Sequence, residues 1–258
     1  MTSEALATTA ASLTALNLSG SNAINSDSLA SLTNLTTLSL ANGESDLSAG
    51  LRALDKLTDL NLWGNTHAQY NQVLPFLTGL VKLDVRHNRH IESVALAPLT
   101  QLVDLTPSPH MDGQTLRQLV NLRVLWLYEA PLIGDDDLSA LTSLTHLALG
   151  STARITDYGL RTLTNLETLN LNNNDRVTDA VLYHLTGLVS LYLGDNARVS
   201  DAGLRSVSGL RHLSLCNNRT ITAEGVRSLP HLSILTVTAP TDDRVAAVSM
   251  HCRVHDKW

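Results

Sequence analysis

Aromatic side chains are scarce: three tryptophans, five tyrosines and one phenylalanine make up 3% of 258 residues. Aliphatic side chains must therefore fill any core, and rings gathered on one surface stand out. Cysteine is scarcer still. Cys216 and Cys252 have no metal-ligand or redox spacing and no disulfide framework, which suits a reducing compartment. Cationic excess is also missing, since 18 Lys and Arg face 24 Asp and Glu, a formal charge of −6. A phosphate backbone selects a basic face, so no nucleic acid partner is expected. No apolar run reaches the roughly 18 residues that span a membrane. Residues 1–12 carry Glu4 but no Lys or Arg, unlike a secretory or transit segment. The expectation is a soluble, unglycosylated, intracellular protein, cytoplasmic by preference.

What the chain does have is leucine at a fixed period. Four 22-residue units begin at Leu144, Leu166, Leu188 and Leu210, each opening L-x-x-L-x-L. Three of them place Asn at the ninth position: Asn174, Asn196 and Asn218. An apolar residue follows at position 12 (Ile155, Val177, Val199, Ile221), then Ser or Thr at position 13. Positions 17 and 20 return to apolar residues.

This signature resembles the leucine-rich repeat family, a stack of strand-plus-helix coils. The I-T-D-x-G-L element at Ile155 to Leu160, echoed from Val199 to Leu204, is similar to the cysteine-containing 22-residue subclass of F-box proteins and some bacterial effectors. The resemblance implies an α/β solenoid: a curved right-handed coil with a parallel sheet on its concave face and short helices on its convex face. It also implies protein recognition through that concave sheet.

Repeat starts fall at Leu13, Leu35, Leu57, Leu80, Leu102, Leu122 and the four positions above, with a last one at Leu232. One domain over 1–258 is expected: a cap at 1–12, ten repeats over 13–231, and a last repeat with a C-terminal cap over 232–258. The cap includes a helix over 4–12 at one end and Trp258 at the other, because end repeats otherwise expose apolar core. Positions 3 to 7 should form a strand, with 4 and 6 inward and 3, 5 and 7 outward. Asn65, Asn88, Asn174, Asn196 and Asn218 should bond the backbone where each strand turns away. Repeat 3 carries one extra residue and a polar connector, Thr66 to Gln72. Repeat 5 is two residues short, and Pro107 stands where an inward leucine belongs, so the hydrogen-bond ladder should break there. Counting on places Ser108 outward at position 7 and His110 at the Asn position.

No glycine-rich phosphate loop, G-x-S-x-G or paired carboxylate arrangement occurs, so no enzymatic activity, cofactor or small-molecule substrate is expected. Cys216 and His212 share an outward strand, where small residues on a sheet are the plainer reading. The outward rows are more informative. Trp63, Arg86, Trp126 and Tyr128 are the expected partner-binding residues, flanked by Asp59, Lys82, Asp84, Asp104, Glu129 and His146. Trp, Tyr and Arg dominate binding hot spots, and Trp63 beside Arg86 has the spacing for a cation–π pair. His67, His87, His90 and His110 cluster in sequence, but scattered loop histidines are commoner than a zinc site, so no metal is expected. Arg52, Arg117, Arg161, Arg205 and Arg227 recur at one helical position and read as a solvated stripe. Arg154, Arg176 and Arg198 are expected to pair with nearby Asp residues. Two other roles remain open: the substrate-recognition subunit of a ubiquitin ligase or a host-directed effector, and a scaffold-like structural component of a large assembly.

Overall fold

The computed structural model describes residues 12–22, 24–128, 130–150, 154–238, 242–248 and 253–256. The expected N-terminal cap helix lies outside them except for Ser12, as do Glu129 and Trp258. The chain divides into two compact units, 1–122 and 123–258. Each is a run of short parallel strands alternating with short helices, the architecture of an α/β leucine-rich repeat solenoid.

The first unit holds strands β1 (Ala15–Asn17), β2 (Thr37–Ser39), β3 (Asp59–Asn61), β4 (Lys82–Asp84) and β5 (Asp104–Thr106). They pair in parallel, one repeat apart, along Ala15, Thr37, Asp59, Lys82 and Asp104. The strands stop at position 5, short of the expected position 7. Position 6 still donates its N–H to the next strand, as Leu18 does to Ser39 O and Leu62 to Asp84 O, both at 2.8 Å. The leucines at positions 4 and 6 are buried throughout. Pro107 sits in the same inward row and has no N–H to give.

Two irregular repeats depart from the sequence reading. In repeat 3 the polar connector is instead a 3-10 helix, Ala68–Gln72, followed by a second at Leu74–Phe76. Its Tyr70 is fully buried, and Asn65 Nδ2 donates to the phenol oxygen at 3.3 Å. Burial pushes the Tyr70 hydroxyl pKa up to about 12. In repeat 5 the outward placement of Ser108 is wrong. Asp112 caps the helix Gly113–Gln118, accepting from Thr115 N at 2.7 Å, and so takes the place of the usual position-13 Ser or Thr. The two missing residues therefore precede Ser108, which moves into the seat of the ladder Asn. It is fully buried and donates Oγ to Ile91 O at 2.9 Å. His110 falls in the exposed connector, not at the Asn position.

The second unit holds β6 (Val124–Trp126), β7 (His146–Ala148), β8 (Thr168–Asn170), β9 (Ser190–Tyr192), β10 (His212–Ser214), β11 (Ile234–Val237) and β12 (Arg253–Asp256). Here the Asn ladder is most regular. Asn196 Oδ1 accepts the N–H groups of Arg198 (2.9 Å) and Val199 (3.0 Å), and its Nδ2 donates to Asn174 O at 2.7 Å. Asn218 repeats the pattern on Thr220, Ile221 and Asn196 O. A second row runs along the helix starts. Each Thr or Ser at position 13 caps its own helix and donates both backbone N–H and hydroxyl to the preceding repeat's Asp. Thr178 does so to Asp157 at 2.8 and 2.6 Å, and Ser200 to Asp179 at 2.7 and 2.6 Å. Gly203 permits the close approach, since a Cβ there would meet Asp179 Oδ1 at 2.3 Å. These aspartates do not pair with the arginine row as expected. Arg198 Nε instead donates to the backbone oxygen of Asp175 at 3.0 Å.

The C-terminal end also differs. The last helical turn is 3-10, Asp243–Ala247, and its buried residue is the charged Arg244. Arg244 Nη1 donates to Asn218 O at 2.7 Å, the carbonyl that a further ladder Asn would have taken. Asp242 neutralises it through a bidentate pair. β12 then adds to β11, pairing Ile234 with Arg253. Among the described residues, no helix is long and apolar enough to cross a membrane.

Replacing Asn196 by Ala leaves two N–H groups and one carbonyl without partners between coils. The expected cost is about 2–3 kcal/mol, the penalty for orphaned buried polar groups. Thr186→Ala, on an exposed turn, should stay within about 0.5 kcal/mol. Urea unfolding of both variants checks the contrast, and equal stabilities would remove the ladder from its assigned role.

Candidate functional site

With leucines locked inward, positions 3, 5 and 7 of each strand region face away from the core. In the first unit this face carries Trp63, Arg86, Asp84, Asp59, Lys82 and Asp104. Asp84 organises one corner. Its Oδ1 accepts Arg86 N at 3.1 Å, and its Oδ2 accepts Arg86 Nε at 3.1 Å and Nη2 at 2.8 Å. Held by that fork, the guanidinium carbon lies 5.4 Å from the centroid of the Trp63 ring. Within 6 Å such stacking is attractive. His87 tilts against the same ring at 6.3 Å. Trp63 remains 37% exposed, its backbone pinned by Asn61 Oδ1 at 2.8 Å. The ring is thus fixed in place and still offered to solvent.

The charged row is asymmetric. Lys82 Nζ lies 3.2 Å from Asp104, and the carboxylate holds the lysine pKa above its usual value. Asp59 receives Lys82 only at longer range. Desolvation by burial raises its pKa, Lys82 partly opposes this, and Asp104 adds to it. Asp59, Lys82 and Asp84, with Asn17, Ser39 and Asn61, line a depression of about 610 Å³ over β1 to β4.

In the second unit Trp126 and Tyr128 stack nearly parallel, 6.0 Å apart with a 13° interplanar angle. Trp126 is half-buried and Tyr128 is 41% exposed. Neither is tucked among the leucines. His146 is half-buried on β7, its Nδ1 sharing a hydrogen bond with Thr145 Oγ1 at 2.9 Å. A second hollow, about 660 Å³, lies over β8 to β11. Sequence reasoning missed it, because its lining is mostly Asn, Ser and Thr, which announce nothing individually.

The histidine cluster does not assemble. His67 Nε2 bonds Glu44 O at 3.0 Å, His87 leans on Trp63, and His90 and His110 line a different hollow with Arg89. Among the described residues no group of three or more His, Cys, Asp or Glu is placed to hold a metal ion. His212 turns to Ser190 Oγ at 3.1 Å, while Cys216 Sγ lies 3.7 Å from Ser214 Oγ, so these two do not pair with each other. The helix-side arginines are exposed, as a solvated stripe should be, and three of them also engage a neighbour. Arg52 stacks on Phe76 at 5.0 Å, Arg161 on Tyr158 at 4.1 Å, and Arg205 reaches Glu224 at 2.9 Å.

Among solved structures, an internalin (InlF) from Listeria monocytogenes is similar over the whole chain. The TM-score is 0.60 with 22% identity, covering 100% of this chain and 89% of that one. A chain of the Rad7 and Elc1 complex in yeast matches with a TM-score of 0.60 and 16% identity, covering 99% of this chain and 86% of its own length. No protein-family model matches the sequence, and no curated protein does. At these identities the similarity speaks for the fold, an α/β leucine-rich repeat solenoid.

The raised pKa of Asp59 has a sign that can be tested. Below the ordinary value of 3.8 the group is protonated folded and unfolded, and contributes nothing. As pH rises, the unfolded chain ionises first and stability is lost until the folded-state pKa is passed. Asp59→Asn should therefore stabilise slightly at neutral pH, by less than about 1 kcal/mol for a surface-facing charge. The gain should vanish below pH 3.8. Urea midpoints at several pH values measure it, and a loss of stability at pH 7 would contradict the desolvation account.

Proposed function

We propose that this chain is a non-enzymatic protein-interaction module that engages a protein partner through its outward sheet surface. The observation that carries this reading is Trp63: a ring in an aromatic-poor chain, 37% exposed, yet held between Arg86 and His87 with Asp84 behind. An exposed ring costs solubility, and a ring already immobilised loses little entropy on binding. Contacts in the first unit are Trp63 and Arg86, flanked by Asp59, Lys82, Asp84 and Asp104. In the second they are Trp126 and Tyr128, flanked by Glu129 and His146. The partner belongs to the protein class, with no nucleic acid, membrane or cofactor required.

Two finer readings build on the same surface. The I-T-D-x-G-L elements support the cysteine-containing repeat subclass, because each bonds the intervening repeat: Asp157 of the first accepts from Thr178, and Ser200 of the second donates to Asp179. That subclass would place the chain as the recognition subunit of a ubiquitin ligase or as a host-directed effector. The crystal structure of Rad7 with Elc1 is one case of a similarly folded chain studied in a protein complex. A structural role in a large assembly would instead use the helix side, where Phe76 and Tyr158 are 67% and 50% exposed under their arginines.

Trp63→Ala and Trp126→Ala should each weaken a purified partner by more than about 1 kcal/mol, the scale of an interface hot spot. Arg161→Ala should leave it unchanged. Calorimetric titration, with circular dichroism to confirm folding, distinguishes the readings. Unchanged affinity in both tryptophan variants with loss in the arginine variant would move the interface to the helix side.

A further inference from the structure

The hollow over β8 to β11 has a chemistry of its own. Its floor is built from strands in strict register, so Asn170, Tyr192, Ser214 and Thr236 stand in one row. In the next outward row Gly194 lies between Asn172 and Cys216, and a Cβ there would meet Asn172 Oδ1 at 2.8 Å, so the glycine makes room for the Asn172 amide beside the hollow. Among the described residues, the only charged one lining it is Asp195, whose Oδ2 lies 3.4 Å from Asn217 Nδ2. No Lys or Arg among the described residues lines it to select a phosphate or carboxylate ligand.

The amides are held in place before any ligand arrives. Asn170 Oδ1 accepts Asn172 N at 2.9 Å, and Asn172 Oδ1 accepts Gly194 N at 2.6 Å. Thr238 Oγ1 accepts Asn217 N at 2.6 Å. Each bond consumes an acceptor and fixes the rotamer. Among the described residues, the Nδ2 groups of Asn170 and Asn172, the Tyr192 hydroxyl and the Thr236 hydroxyl make no hydrogen bond. The result is a fixed array of amide donors and two hydroxyls, which both donate and accept, around one half-exposed ring. Hydroxyl groups of a ligand need donors and acceptors together, and the C–H face of a sugar ring needs an aromatic floor. The volume, about 660 Å³, falls within the roughly 300–1,000 Å³ of small-ligand sites.

We propose that this hollow binds a neutral saccharide, seated on Tyr192 and hydrogen-bonded by Asn170, Asn172 and Thr236. The site is independent of the protein-binding surface proposed above and departs from the expectation of no small-molecule ligand. The test is an NMR titration of the full chain with maltotriose, cellotriose and chitotriose, following side-chain amide and backbone resonances. At least one should give saturable shifts centred on Asn170, Asn172 and Thr236. Tyr192→Ala should weaken that binding about tenfold, equivalent to about 1.4 kcal/mol, while Tyr192→Phe retains most of it and Trp63→Ala all of it. Circular dichroism verifies that each variant folds. Saturable shifts from none of the three sugars, or shifts indifferent to Tyr192→Ala, overturn the proposal. So does saturation at the same residues by an uncharged Gly-Ser peptide with no response to sugar, which would make this a peptide groove.

Discussion

A chain that coils every 22 residues must bury backbone N–H and C=O groups where each strand turns toward the next helix. Everything else depends on satisfying them. At Asn196 and Asn218 the carboxamide does so in both directions, accepting two N–H groups of its own turn and donating to the carbonyl of the preceding coil, whereas Asn88 and Asn174 only accept. One side chain thereby shapes the turn and fixes the spacing between coils. The exceptions make the same demand visible. Where repeat 5 loses two residues, Ser108 enters the seat and donates to Ile91 O. Where the ladder runs out, Arg244 takes the carbonyl of Asn218, and Asp242 supplies the countercharge that a buried guanidinium requires.

The second row of bonds, from Ser or Thr to the preceding Asp, does for the helix side what Asn does for the turns. It also explains the small residue at position 16, because an Asp carboxylate occupies the space a side chain would need at Gly159, Gly203 and Gly225. Val181 stands at the same position, yet Asp157 keeps both bonds to Thr178. Glycine is therefore favoured by the contact without being indispensable to it. With both rows closing the coils internally, the outward sheet positions are free to differ from repeat to repeat. The first unit uses them for rings and paired charges, the second for an amide-rich floor and a stacked pair of rings.

Period and register were legible in the sequence because leucine spacing determines which residues share a row. That is why the stacking of Arg86 on Trp63 and the outward Trp126 and Tyr128 could be placed before any coordinates. What was illegible were the places where the count itself changes. Two missing residues in repeat 5 shift every later position, and the sequence does not say where they are missing; only the cap at Asp112 locates them. Tyr70 was hidden in a polar connector, although Val73 and Leu74 after it mark a buried turn. β12 carries no leucine, so nothing in its four residues advertises a strand. The role of Asp84 as clamp was illegible for another reason: it shares a face with Lys82 as well as Arg86, and only geometry chooses between them.

One local device ties the short strands to the recognition surface. A side-chain oxygen at position 5 repeatedly accepts the N–H of position 7: Asn17 from Ser19 at 2.9 Å, Asn61 from Trp63 at 2.8 Å, Asp84 from Arg86 at 3.1 Å and Asn170 from Asn172 at 2.9 Å. A strand continuing to position 7 would give that N–H to its neighbour. In these four repeats the side chain captures it instead and anchors the position-7 residue to its own strand, although β6, β7 and β9 also stop at position 5 without such an acceptor. Binding normally has to offset the entropy of freezing loop and side chain, about 0.5–1.5 kcal/mol per flexible group. Here the loop component is settled during folding. The residues that most need a fixed pose, Trp63 and Arg86 in one unit and Asn172 in the other, are the ones this hydrogen bond holds.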